Sequence, residues 1–133
     1  MRIIASLHNS RQQNDITVST NGADKTIVIP GKAEGQGSSV NGGELLFLSL
    51  ATCFCNDIYR EASRRKISIE SLEVNVSGEF GKEGDPASNI IYDVKIIAPL
   101  HNRKELDDLV QHVDGVAEIH NTLRQGVQVT LRN

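Results

Sequence analysis

From Leu45 to Phe54 the chain reads LLFLSLATCF, apolar on almost every side of a helix, and such a run predicts a helix buried in the protein. Asn41 and Glu44 stand at the N-cap and N3 spacing of a capping box that would open it. After Cys55 the pattern turns amphipathic and charged, NDIYREASRRK, so the later turns are expected to emerge into solvent. Before this helix the pattern predicts three short strands, Arg2–Leu7, Asp15–Thr20 and Lys25–Ile29. They are separated by the turn formers His8-Asn9-Ser10 and Asn21-Gly22-Ala23-Asp24. Residues 31–43, GKAEGQGSSVNGG, hold five glycines and predict an exposed loop without the spacing of a phosphate cradle.

Beyond the helix, Leu72, Val74 and Val76 alternate with Glu73, Asn75 and Ser77 in a predicted strand over 67–77. A turn at 81–88 leads to a second alternating strand, 89–97, close enough to pair with the first as an antiparallel hairpin. Asn102 and Glu105 repeat the capping spacing. A second helix follows, with Leu106, Leu109, Val110, Val113, Val116, Ala117, His120 and Leu123 on one face; Gly115 bends it or splits it. Val127–Leu131 predicts a last short strand. The expected order is βββ-α-ββ-α-β, an α+β domain with antiparallel sheet around a buried central helix. A small domain struggles to enclose a helix apolar on every face, which predicts a homodimer with two such helices at a shared interface.

Composition narrows the function classes. The 133 residues fit one domain, 1–133, with aliphatic side chains building most of the core, since Trp is absent and only three Phe and two Tyr are present. No stretch reaches the ~20 apolar residues of a membrane span. The N-terminus turns polar too early for a signal peptide, so a cytoplasmic location with reduced cysteines is expected. A formal net charge of -3 argues against non-specific nucleic-acid binding, and the run Arg64-Arg65-Lys66 suits the C-terminal end of a helix. Cys53 and Cys55, two apart on a helix, do not face each other, so no disulfide is expected between them. Without a second cysteine pair or paired histidines, neither a structural metal nor a cofactor is expected.

The segment Glu44-Leu45-Leu46-Phe47-Leu48-Ser49-Leu50-Ala51-Thr52-Cys53-Phe54 resembles the ELLxxxxxxCF helix motif of the OsmC/Ohr family. Ile69–Val76 resembles the strand that follows it there, and the element order agrees over the whole chain. From the residues alone, Cys53 is a core cysteine of an apolar helix or a reactive thiol; the resemblance tips it toward the second. It implies an intertwined homodimer that reduces hydroperoxides in oxidative-stress defence. In that reading Cys53 is the peroxide-attacking thiol, which becomes a sulfenic acid. Arg11, forty-two positions before Cys53 in the turn between the first two strands, would be the arginine that holds the peroxide and lowers the thiol pKa.

Two positions depart from the family pattern. The carboxylate that clamps the arginine is replaced by Gly43, and Glu44, one residue later, reads as a helix cap. The resolving cysteine of a CPVxxxL-like segment is replaced by Ala117 in Ala117-Glu118-Ile119-His120-Asn121-Thr122-Leu123. The resemblance therefore implies a one-cysteine peroxidase with a small-molecule hydroperoxide as substrate and an external thiol as reductant. Cys55 and His120 are accessory candidates, His120 as a proton shuttle, while Asp57 one turn after Cys53 would raise the thiol pKa. The alternative is a non-catalytic dimer of the same fold that binds a small hydrophobic ligand.

Overall fold

Two-residue turns set the register of the N-terminal strands in this computed structural model, which describes residues 1–132. The chain divides into two compact units, Met1–Leu45 and a second that begins at Leu46. In the first, β1 (Ile3–Ser10), β2 (Gln13–Thr20) and β3 (Ala23–Thr26) form an antiparallel meander in the order β1-β2-β3. Both connecting turns place their two central residues at positive φ, Arg11 and Gln12 at 50° and 63°, Asn21 and Gly22 at 50° and 86°. That is the twist a two-residue hairpin favours, and Asn-Gly adopts it readily. Because these turns are so short, pairing resumes at once. Ser10 pairs with Gln13 and Thr20 with Ala23, so His8-Asn9-Ser10 and Ala23-Asp24 are strand, not turn as their composition suggests. Asn9 Nδ2 donates to Asn14 Oδ1, and Asn14 Nδ2 in turn donates to the carbonyls of Ile29 and Pro30, which ties 27–30 down outside the sheet.

Gly31 lies against the peptide of Gln12: a Cβ built on it would stand 1.9 Å from the Gln12 carbonyl oxygen. Backbone cannot yield as a side chain tip does. Gly31→Ala is therefore expected to destabilise the first unit by about 1–3 kcal/mol, read as a lower urea midpoint.

Helix α1 (Gly42–Arg64) opens with the expected capping box. Asn41 Oδ1 accepts from the Glu44 amide at 2.9 Å, and Glu44 Oε2 accepts from the Asn41 amide at 2.7 Å. In the second unit this helix lies over the hairpin of β4 (Ser71–Phe80) and β5 (Ala87–Ile97), which pair antiparallel with a register shift between Ser77 and Glu79. Phe54, Ile58 and Ala62 form the core with Leu109, Val113 and Ala117, and Leu72, Val74, Tyr92, Val94 and Ile96 pack on it from the sheet. Two expectations for α1 are corrected. The buried stripe runs Leu50, Phe54, Ile58, Ala62, with Asp57 and Glu61 beside it, so the charged half of the helix is the deeper half. By contrast Leu48 in the apolar half is 60% exposed within the chain. Amphipathic turns bury their apolar edge on the sheet and snorkel the long charged side chains outward, as Arg60 and Arg64 do.

The second predicted helix is two. Asn102 and Glu105 cap α2 (Arg103–Val116) reciprocally, and the helix stops at Ala117, whose ψ of 107° is extended. α3 (Glu118–Gln125) then starts afresh and closes on Gly126 in the left-handed conformation. The split thus falls two residues after Gly115. The last predicted strand is also corrected. Val127–Leu131 forms no ladder among the described residues, and Val127, Val129 and Leu131 are exposed. Alternation marks a segment able to pair, but a strand also needs a partner edge. The observed order is β1β2β3-α1-β4β5-α2α3, a mixed α+β fold with antiparallel strands.

Candidate functional site

Cys53 occupies the flank of α1 beside its buried stripe, and its thiol is partly accessible. Its Sγ donates to Asp57 Oδ2 at 3.7 Å, one helical turn on. Asp57 is only 3% exposed, and its other oxygen is held by Arg60 Nη1 at 2.6 Å. A second carboxylate, Glu118 at the start of α3, brings an oxygen within 4.8 Å of both the Cys53 sulfur and the Asp57 carboxylate. A sulfur and two carboxylate oxygens this close are the donors a divalent cation would share, a grouping the sequence does not suggest because Glu118 is sixty-five positions away.

The thiol pKa is pushed up. Burial is the main cause; the backbone N–H of Ile119 pulls the other way, and the charges of Asp57 and Glu118 push up again. The Ile119 amide belongs to the first turn of α3, where backbone donors have no partner within their own helix. The break at Ala117 therefore presents a helix N-terminus to a thiol that lies too deep in α1 to gain from the dipole of its own helix. Sequence reading missed this donor. The signal for it was Gly115, which marked a break without showing what the break would face.

The other candidates are placed as follows. Cys55 is partly buried on a different face of α1, where it lines a shallow pocket with Ala51, Thr52, Asn56, Leu72 and Val74. Both cysteines are free. His120 is 5% exposed and stands edge-on to Tyr92 with a 4.6 Å centroid separation, with Phe54 at 5.5 Å. Burial lowers its pKa, and Arg124 lowers it further. Tyr92 donates its hydroxyl to Asp114, and its pKa is raised to about 12 by burial and by that carboxylate. Arg11 belongs to the first unit, exposed in the β1–β2 turn. Ala117 is fully buried in the core. No helix among the described residues is long and apolar enough to cross a membrane.

A search of curated proteins found no match. Solved structures are informative. The chain is similar to an OsmC-like protein from Mycoplasma pneumoniae, with 25% identity over 95% of this chain and 87% of that one and a TM-score of 0.62. It shares its fold with the organic hydroperoxide resistance protein OsmC from Legionella pneumophila (24% identity, 98% and 95% coverage, TM-score 0.58). It likewise shares it with the organic hydroperoxide resistance protein OhrB of Bacillus subtilis (22% identity, 96% of each chain, TM-score 0.54). The family model for OsmC-like protein matches residues 35–132, a span that holds α1, the β4–β5 hairpin, α2 and α3. The chain belongs to the OsmC-like protein family.

Proposed function

We propose that this protein is a thiol-dependent hydroperoxide reductase of one-cysteine type, working as a homodimer in the cytoplasm as part of a peroxide stress response. The observation that carries the reading is Cys53, a partly accessible thiol with the first-turn amide of α3 directed to it. Two relatives of the same fold are named for organic hydroperoxide resistance. The thiolate attacks the terminal peroxide oxygen, the O–O bond breaks, and the departing alkoxide takes up a proton to leave as alcohol. Cys53 is left as sulfenic acid. Ala117 at the usual resolving position and Cys55 on another face leave no neighbouring thiol to condense with it. An external thiol then displaces water to give a mixed disulfide. A second external thiol releases Cys53 and carries away the disulfide.

Arg11 is assigned the role of cation for the peroxide. Its support is its place in the β1–β2 turn, forty-two positions before Cys53, where the family resemblance puts the peroxide-binding arginine. Dimerisation is supported by the apolar side chains left exposed within one chain, Ile3, Ile4 and Leu7 on β1 and Leu48 on α1.

The test is direct. The protein is mixed with cumene hydroperoxide and thiol loss is followed at Cys53 by mass spectrometry of the alkylated peptide. Cys53 is expected to be lost much faster than a free thiol at the same pH. Loss no faster than that of free cysteine would reject the activity.

A further inference from the structure

Helix α2 ends at Val116, so the carbonyls of its last turn have no partner further along their own helix. Two of them are taken up by side chains of α3. Asn121 Nδ2 donates to the Gly115 carbonyl at 3.1 Å, and Arg124 Nη1 donates to the Asp114 carbonyl at 2.9 Å. Asn121 and Arg124 stand three apart on α3 and are neighbours on one face, joined by Arg124 Nη1 donating to Asn121 Oδ1 at 3.2 Å. The other guanidinium nitrogen, Nη2, pairs with the Asp114 carboxylate, which also accepts the Tyr92 hydroxyl from β5. The corner between the two helices is thus fastened at two carbonyls and anchored to the sheet. Tyr92 first and Arg124 next hold the Asp114 carboxyl below its ordinary range, so the fastening persists wherever a thiol titrates.

This corner decides where α3 begins. Only Ala117 separates the two helices, and the first turn of α3 carries the Ile119 amide that faces Cys53. With eight residues, α3 is too short to hold its direction without outside ties. We propose that Arg124 and Asn121 are positioning residues for the Cys53 thiol, locking α3 against the end of α2 so that the Ile119 amide stays directed at the sulfur. The proposal rests on the reading of Cys53 as the nucleophile and adds the residues that hold its amide donor in place. The charged groups around the sulfur are Asp57, with its partner Arg60, and Glu118. His120, next to Ile119, stays uncharged at pH 7.5 and above with or without Arg124, since burial already lowers its pKa. Glu118 opens the same helix as the amide. A loosened α3 therefore withdraws both a donor that lowers the thiol pKa and a carboxylate that raises it, and the donor has the larger effect.

The test is the pH profile of iodoacetamide alkylation of the full chain, with Cys53 and Cys55 followed separately by mass spectrometry. Arg124→Gln, Arg124→Lys and Asn121→Ala are each expected to move the Cys53 profile to higher pH. At pH 7.5 each should slow Cys53 roughly two- to fivefold, part of the tenfold that one pKa unit represents. Cys55, on another face of α1, should keep its parent rate. Arg124 is close to half exposed, so its replacement opens no cavity. Lysine keeps the charge but cannot reach carbonyl and carboxylate together as the guanidinium fork does, and Asn121→Ala changes no charge at all. In a Glu118→Gln background the slowing should persist and grow, because only the amide is then withdrawn. A profile unmoved in Arg124→Lys or in Asn121→Ala overturns the proposal. So does an equal change at Cys55, which marks general loosening, or a slowing that vanishes in the Glu118→Gln background. Alkylation needs no peroxide, so a shifted profile in a protein that leaves cumene hydroperoxide intact rejects the peroxidase reading and still supports the positioning of the thiol.

Discussion

Serine in place of Cys53 is expected to reduce hydroperoxide consumption to the rate of buffer and dithiothreitol alone, while Cys55→Ser leaves it within about twofold of the parent. The asymmetry follows from position. Cys53 has the α3 amide and a partly accessible sulfur, whereas Cys55 faces a shallow pocket of mainly apolar side chains on another side of α1. Serine fits the site sterically, but its hydroxyl stays protonated at any pH the fold tolerates and cannot take the place of a thiolate. Dimedone added during turnover should mark one cysteine per chain, at residue 53, because no resolving thiol removes the sulfenic acid first. Equal losses in the two single variants would mean that the cysteines act as a pair. Marking at Cys55 would move the nucleophile by two residues.

The sequence reading and the structure agree where the physics is local. Both capping boxes, Asn41/Glu44 and Asn102/Glu105, form as their spacing predicts, because a three-residue reach is settled within one turn. The inner face of β4 is likewise legible from its alternation, since the period of a strand fixes which side chains meet the core. What escaped depends on distant partners. The deep burial of Asp57 and Glu61 follows from where α1 lies on the hairpin and against α2, which nothing in NDIYREASRRK encodes by itself. Val127–Leu131 has the pattern of a strand, and no edge within the described chain accepts it. The site was half readable. Cys53 and the carboxylate of Asp57 are four residues apart and could be paired on paper. Glu118 and the Ile119 amide reach the thiol only because the second helix breaks at Ala117.

Neutralising Asp57 should make Cys53 a faster nucleophile at neutral pH. The reactive form is the thiolate, and the folded protein holds the thiol pKa above its ordinary range, chiefly through burial and then, against the Ile119 amide, through the charges of Asp57 and Glu118. The rate of thiol loss should therefore rise with pH and keep rising beyond the ordinary thiol range before it levels. Asp57→Asn keeps the shape of the side chain and removes one of the two nearby negative charges. Its partner Arg60 is 43% exposed, so water can take over the solvation of the freed guanidinium. The thiol pKa then falls, and the pH–rate curve moves to lower pH. Below the pKa each unit of displacement is worth about tenfold in thiolate, so a several-fold to tenfold gain at pH 7.5 is expected. Glu118→Gln should act in the same direction, and Arg60→Gln, which leaves Asp57 without its cation, in the opposite one. The measurement is the pH profile of Cys53 alkylation by iodoacetamide beside that of cumene hydroperoxide reduction. A profile unmoved by Asp57→Asn would show that the charge is not felt at the sulfur. If alkylation quickens while peroxide reduction slows, Asp57 instead carries the thiol proton toward the departing alkoxide, and its closeness to Cys53 serves proton transfer.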